Sequence, residues 1–286
     1  MPSHQNHHYV PAFLLREWQQ ADNKLTQFTW ENNRFITSRR QAKSVAKEKH
    51  LYSTNRSTGN PDVGIEVDVM GPKVDDPAAL VHQKLLAGGV GRLSNAEQET
   101  WAKFLLSLLF RGPKAIADLR YRGRLKLLEV IGDATEAGVS PYGRPDISLI
   151  EWAQLEDPDS FEDLGVQTLE PLINSEVLNP KLLAATWETL NRGRAAYDFL
   201  ISDNPLILVG EGLGGKFLMT LPLSPEQAFV AYSAPEIGRT LDERTTTSFV
   251  KAANLDTVLK AKSCVYATSA TQAPFVERYL GKSTTG

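Results

Sequence analysis

The sequence predicts an α+β fold, a mostly antiparallel sheet with a central apolar helix pair and flanking helices. Three observations predict it. β-prone runs crowd the last third and are separated by short Gly/Pro/Asn turns, the pattern of antiparallel pairing. A capped stretch beginning at Ser94 repeats apolar residues at helical spacing. An early pair of β-prone runs reads as a hairpin that extends the late sheet, so helices surround a single antiparallel layer. A chain of 286 residues with 42% hydrophobic and 23% charged content has the make-up of a globular protein able to bury a core.

The elements follow in order. Residues 1–10 are polar and His-rich, and Pro11 opens a short helix over 11–18, where its missing N–H costs nothing. Leu25–Trp30 and Arg34–Ser38 flank Glu31-Asn32-Asn33 and make the hairpin. A basic patch runs from Arg39 to Lys49, and residues 53–64 form a loop rich in Ser, Thr, Asn, Gly and Pro. Ser94-Asn-Ala-Glu97 is a capping box, and Trp101, Phe104, Leu105, Leu108 and Leu109 follow on one stripe. Gly112-Pro113 interrupts that helix, and a second from Lys114 to Ile131 completes the central pair. Residues 132–165 read as a connecting segment and Lys181–Leu190 as helical. Strands are expected at Tyr197–Ser202, Leu206–Val209, Phe217–Leu221, Ala228–Tyr232 and Cys264–Ala267, with helices at 245–261 and 274–280. Residues 1–280 are expected to form one domain, with 281–286 a frayed tail.

Composition excludes several classes. A net charge of −3 gives no global basic field, so nucleic acid is only a weakly supported partner through the 39–49 patch. The lone Cys264 rules out an internal disulfide and a Cys-rich zinc module. The longest strongly apolar stretch, Phe104–Phe110, is far short of the ~20 residues that cross a bilayer, so no membrane is expected. With no apolar leader at the N-terminus, the expected location is cytoplasmic. No phosphate-cradling Gly-rich loop, nucleophile elbow or paired-His zinc helix is found. Gly210-Glu-Gly-Leu-Gly-Gly215 lies between two β-runs and reads as a hairpin loop.

Four groups remain as carriers of chemistry. His7 and His8 lead into an apolar segment, and imidazoles held there can ligate a divalent metal or move a proton; His4 has the same chemistry on a solvated terminus. Asp203 and Asn204, followed by Pro205, interrupt an apolar β-run, and there the carboxylate can hold a metal and the amide can orient substrate. Glu66, between Asp62 and Asp68, can act as a base or complete a metal site. Arg111 closes the apolar helix, where a guanidinium satisfies carbonyls, pairs with Glu66 or Asp203, or neutralises a substrate anion, as Arg16 also can.

The blocks His7–Arg16, Val45–Tyr52, Ile65-Glu66, Phe110–Pro113, Ile201–Pro205 and Leu221–Pro225, in this order, resemble the DUF4238 family, a domain of unknown function. The resemblance implies one family unit over nearly the whole chain and supports the choice of residues; it implies no reaction.

Two functions are expected from these residues. In the sharper one the protein is a metal-dependent hydrolase, nuclease-like, of the kind used in bacterial defence or conflict. His7, His8 and Asp203 bind a divalent metal, Glu66, Asp203 and Arg111 carry the catalysis, and Arg16 and Asn204 bind substrate. In the other the chain is a non-catalytic binding or interaction protein, and the same polar residues form a structural hydrogen-bond network.

Overall fold

The computed structural model describes residues 5–141, 143–144, 146–242 and 245–282. The fold is mixed α+β, with about 52% helix and 18% strand. Its strands are β1 (Asn6–His8), β2 (Leu25–Glu31), β3 (Arg34–Arg40), β4 (Lys47–Lys49), β5 (Thr186–Asn191), β6 (Ile201–Ser202), β7 (Ile207–Gly210), β8 (Phe217–Pro222), β9 (Gln227–Tyr232) and β10 (Cys264–Ala267). They form antiparallel sheets ordered β1-β4, β3-β2-β10-β6 and β5-β9-β8-β7.

The early hairpin forms where the sequence places it. Asn32 and Asn33 take φ of 48° and 61°, a left-handed turn that matches the twist of the flanking strands. Trp30 and Phe35 face each other across the ladder, their rings 5.5 Å apart. The expected single sheet is corrected, however. The hairpin pairs with β10, and β10 with β6, while β7 belongs to the other four-stranded sheet. The chain leaves one sheet at Ser202 and enters the other at Ile207, so Asp203-Asn204-Pro205 is the crossing between them.

The helix Asn95–Phe110 carries the predicted capping box and buries Trp101, Phe104, Leu105 and Leu106 completely. It runs through the main apolar core, which draws on residues from Val10 to Tyr266. The break at Gly112 is also as expected, with Pro113 opening a helix that runs to Glu136. That second helix touches the core only near its start, where Ile116 joins it and Leu119 packs against it, and beyond them it buries only Arg120, Gly123 and Ile131.

Two other expectations fail. Residues 132–165 contain helices Leu149–Glu156 and Ser160–Gln167, the first with its own Ser148/Glu151 capping box. The helical reading of 181–190 is half wrong: the helix Leu178–Leu183 stops and β5 begins at Thr186. The Ser160–Gln167 helix crosses the Pro113–Glu136 helix at a glycine contact. A Cβ on Gly165 would lie 1.9 Å from the Leu119 carbonyl oxygen, and one on Gly123 would lie 2.3 Å from the Gly165 nitrogen. Only glycine lets these backbones approach so closely.

Candidate functional site

The N-terminal polar residues assemble around one strap of chain. β1 pairs with β4, and the backbone then turns through His50, whose φ is 57°, into Leu51–Asn55. Two buried arginines hold this strap. Arg111, fully buried at the end of the core helix, binds Asp75 through its two terminal guanidinium nitrogens at 2.7 and 3.0 Å, while its Nε has no hydrogen-bond partner. It also donates to the His8 carbonyl at 2.9 Å and to Ser107 Oγ at 3.3 Å. Arg120 pairs with Asp163 at 3.3 Å and donates to the carbonyls of Ser53 and Leu51. Asp163 in turn accepts the Asn55 N–H at 2.6 Å.

His7 sits fully buried inside this frame. Its Nδ1 accepts the Tyr52 backbone N–H at 2.9 Å, and its ring stacks on Tyr52 with centroids 5.2 Å apart. The Tyr52 hydroxyl lies 3.2 and 3.1 Å from the carbonyl oxygens of His8 and Arg111. His8 donates from Nε2 to the Lys43 carbonyl at 3.2 Å, and burial lowers its pKa, so the ring is neutral at pH 7. Glu66 joins from a π-helix, Ile65–Asp75, that contains Pro72 and supplies Asp75 at its other end. Wide i→i+5 winding of this kind is frequent at functional sites. Burial pushes the Glu66 carboxyl up to about 7, against the pull of Arg111, and its Oε2 is buried with no hydrogen-bond partner.

Asp203 does not belong to this cluster's hydrogen-bond frame. Its carboxylate accepts from Lys262 N (2.7 Å), Ser263 N (2.7 Å), Ser263 Oγ (2.8 Å) and Cys264 N (3.0 Å), so it caps the turn into β10. Asn204 donates from Nδ2 to the Lys260 carbonyl at 3.1 Å. The residue of the N-terminal block that senses Asp203 is Tyr9, whose hydroxyl pKa is raised first by burial and then by that carboxylate. Arg16 is exposed after the short helix Ala12–Leu15, and His4 lies outside the described residues. Among the described residues, no three His, Cys, Asp or Glu side chains are grouped so as to hold a metal ion. Within the basic patch, Arg39 is spent internally on Asp22, Thr26 Oγ1 and the carbonyls of Lys24 and Thr268.

The structure adds a cleft that the sequence reading missed. Two adjoining cavities of about 690 and 530 Å³ share Arg192, Asp198 and Thr268 on their walls. Tyr197, Phe275 and Tyr279 line the larger, and Glu17, Glu226 and Gln227 the smaller. Arg192 stands between two carboxylates, 3.2 Å from Asp198 and 3.5 Å from Glu226. Three polar atoms in these walls, Arg192 Nε, Gln227 Oε1 and Thr268 Oγ1, are buried without a hydrogen-bond partner. These residues come from distant parts of the chain, so no local motif marks them.

A family model described as "Protein of unknown function (DUF4238)" matches residues 6–271. No curated protein and no solved structure matches.

Proposed function

The chain belongs to the DUF4238 family, and from that premise we propose that it is a non-catalytic binding protein. The buried N-terminal cluster locks the fold, and the paired cleft is where a small molecule sits. One contrast carries this reading. The cleft leaves buried polar atoms of Arg192, Gln227 and Thr268 unpartnered on its walls, whereas the Asp203 carboxylate receives four donors from 262–264. Ligand sites are concave, of roughly 300–1,000 Å³, and keep a few polar groups free to orient what enters. Structural networks instead spend their polar groups on one another.

A second reading, the metal-dependent hydrolase, is favoured by a single observation. Glu66 has a carboxyl near neutrality and one oxygen without a partner, the condition of a general acid or base. Elemental analysis of untagged protein, with thermal melts in Mn²⁺, Zn²⁺ and EDTA, separates the two. The binding reading expects no stoichiometric metal and no change in melting temperature. Metal that is retained by the native chain and lost in His7→Ala, with the melt otherwise unchanged, would overturn it in favour of the hydrolase.

A further inference from the structure

We infer that the paired cleft takes a small organic cation carried on a flat ring, an arylalkylamine, with the ring in the larger cavity and the ammonium in the smaller. This rests on the binding reading above and assigns the ligand's class. The larger cavity supplies an aromatic wall from two directions. Tyr197 precedes β6, and the Phe275 and Tyr279 rings pack at 5.2 Å on the last helix, Ala273–Tyr279. Stacked or edge-on contact with such rings suits a planar apolar body.

The smaller cavity is short of donors. Among the described residues lining it, three carboxylates, Glu17, Asp198 and Glu226, face one guanidinium, Arg192. Arg192 is within ion-pair distance of Asp198 and Glu226, which leaves Glu17 without a cation there. Burial raises the Glu17 pKa against a hydrogen bond from Gln83, so the partner of this carboxyl is a neutral amide and its charge stays uncompensated. Of the three unpartnered atoms, Arg192 Nε already faces the Asp198 carboxylate at 3.2 Å, while Gln227 Oε1 is an acceptor and Thr268 Oγ1 is free to accept. An anionic head group would add acceptors to acceptors. A neutral hydroxyl would satisfy the amide but leave the charge uncompensated. An ammonium supplies both the donors and the charge. The remaining cation on the wall, Lys251, is held over the Tyr197 ring, 5.6 Å from its centroid, in the cavity assigned to the ring.

Calorimetric titration of the full chain with tryptamine, indole and indole-3-acetate tests the assignment, because the ring is constant and the charge varies. Tryptamine is expected to bind at least about tenfold more tightly than either of the others, and Glu17→Gln to remove about tenfold of that preference without affecting indole. If indole or indole-3-acetate binds as well as tryptamine, or if Glu17→Gln leaves the preference intact, the cation assignment falls while the binding reading stands. If none of the three binds, both fall.

Discussion

Arg111 and Arg192 are both paired with carboxylates, yet their settings are opposite. Arg111 is fully buried, grips Asp75 with two nitrogens and donates to a backbone carbonyl of β1. Arg192 is partly exposed, donates to the Ala195 carbonyl and is shared between Asp198 and Glu226 at longer range, and three unpartnered buried atoms, its own Nε among them, line the same cleft. A buried charge with no freedom to move acts as a rivet, because removing its partner strands it in a medium of low dielectric. A half-solvated charge between two acceptors can exchange partners at small cost. The difference teaches where to look for function: the buried guanidinium gripped by one carboxylate holds this chain together, and the one shared between exposed carboxylates lines the space a ligand can fill.

The largest expected effect tests the rivet. Breaking a buried ion pair from one side costs about 3–5 kcal/mol, so Arg111→Met should move the urea midpoint steeply downward by stranding Asp75. Replacing both partners, Arg111→Met with Asp75→Leu, should recover part of that loss, because no charge is left unpaired. If the single variant loses less than about 1 kcal/mol, the value of an exposed pair, the contrast with Arg192 disappears.

Glu66 sharpens the same comparison through pH. Its folded pKa is raised to about 7, above the value near 4.5 of an ordinary glutamate. The folded state therefore holds the proton more tightly than the unfolded chain. The stability this contributes is complete below about pH 4.5 and is lost as pH rises through 7. Glu66→Gln removes the titration, so the variant should be more stable than the native chain at pH 8, by on the order of 2 kcal/mol, and the two should converge at pH 4. Denaturant unfolding at the two pH values reads this directly. An unchanged pH slope in Glu66→Gln would show that burial of this carboxyl is not what strains the cluster.

These contrasts were only partly legible in the sequence, and the division follows the range of the interaction. Ser94 and Glu97 satisfy each other within one helical turn, so their pattern is readable without any fold. The same signature at Ser148 and Glu151 lies in a stretch rich in Gly, Pro and Asp, and that composition outweighed it. Arg111 was recognisable as an unusual end to an apolar helix, but its partner is Asp75, 36 residues earlier, and not Glu66 or Asp203. The π-helix that positions Asp75 has no sequence mark of its own, since Pro72 inside it argues against a helix altogether. The Ser-Asp-Asn-Pro interruption needed a reason, and the reason is a crossing between two sheets, which becomes visible only once strand partners are known. The cleft is the extreme case. Glu17, Arg192, Gln227 and Thr268 share one wall system while lying far apart along the chain.

The smallest expected effect completes the comparison from the other side. Exposed or half-exposed ion pairs contribute about 0–1 kcal/mol because solvent screens the attraction and ordering two long side chains costs entropy. Arg192 lies 28% exposed beside partners that are 40% and 74% exposed, at distances that favour neither one. Arg192→Gln should therefore shift the urea midpoint by less than about 1 kcal/mol, several-fold less than Arg111→Met. Removing this guanidinium also deepens the acidity of the smaller cavity, so the variant should bind tryptamine at least as well as the native chain. A loss of stability equal to that of Arg111→Met would make Arg192 a second rivet, and the cleft would then be a seam of the fold and not a place for a ligand.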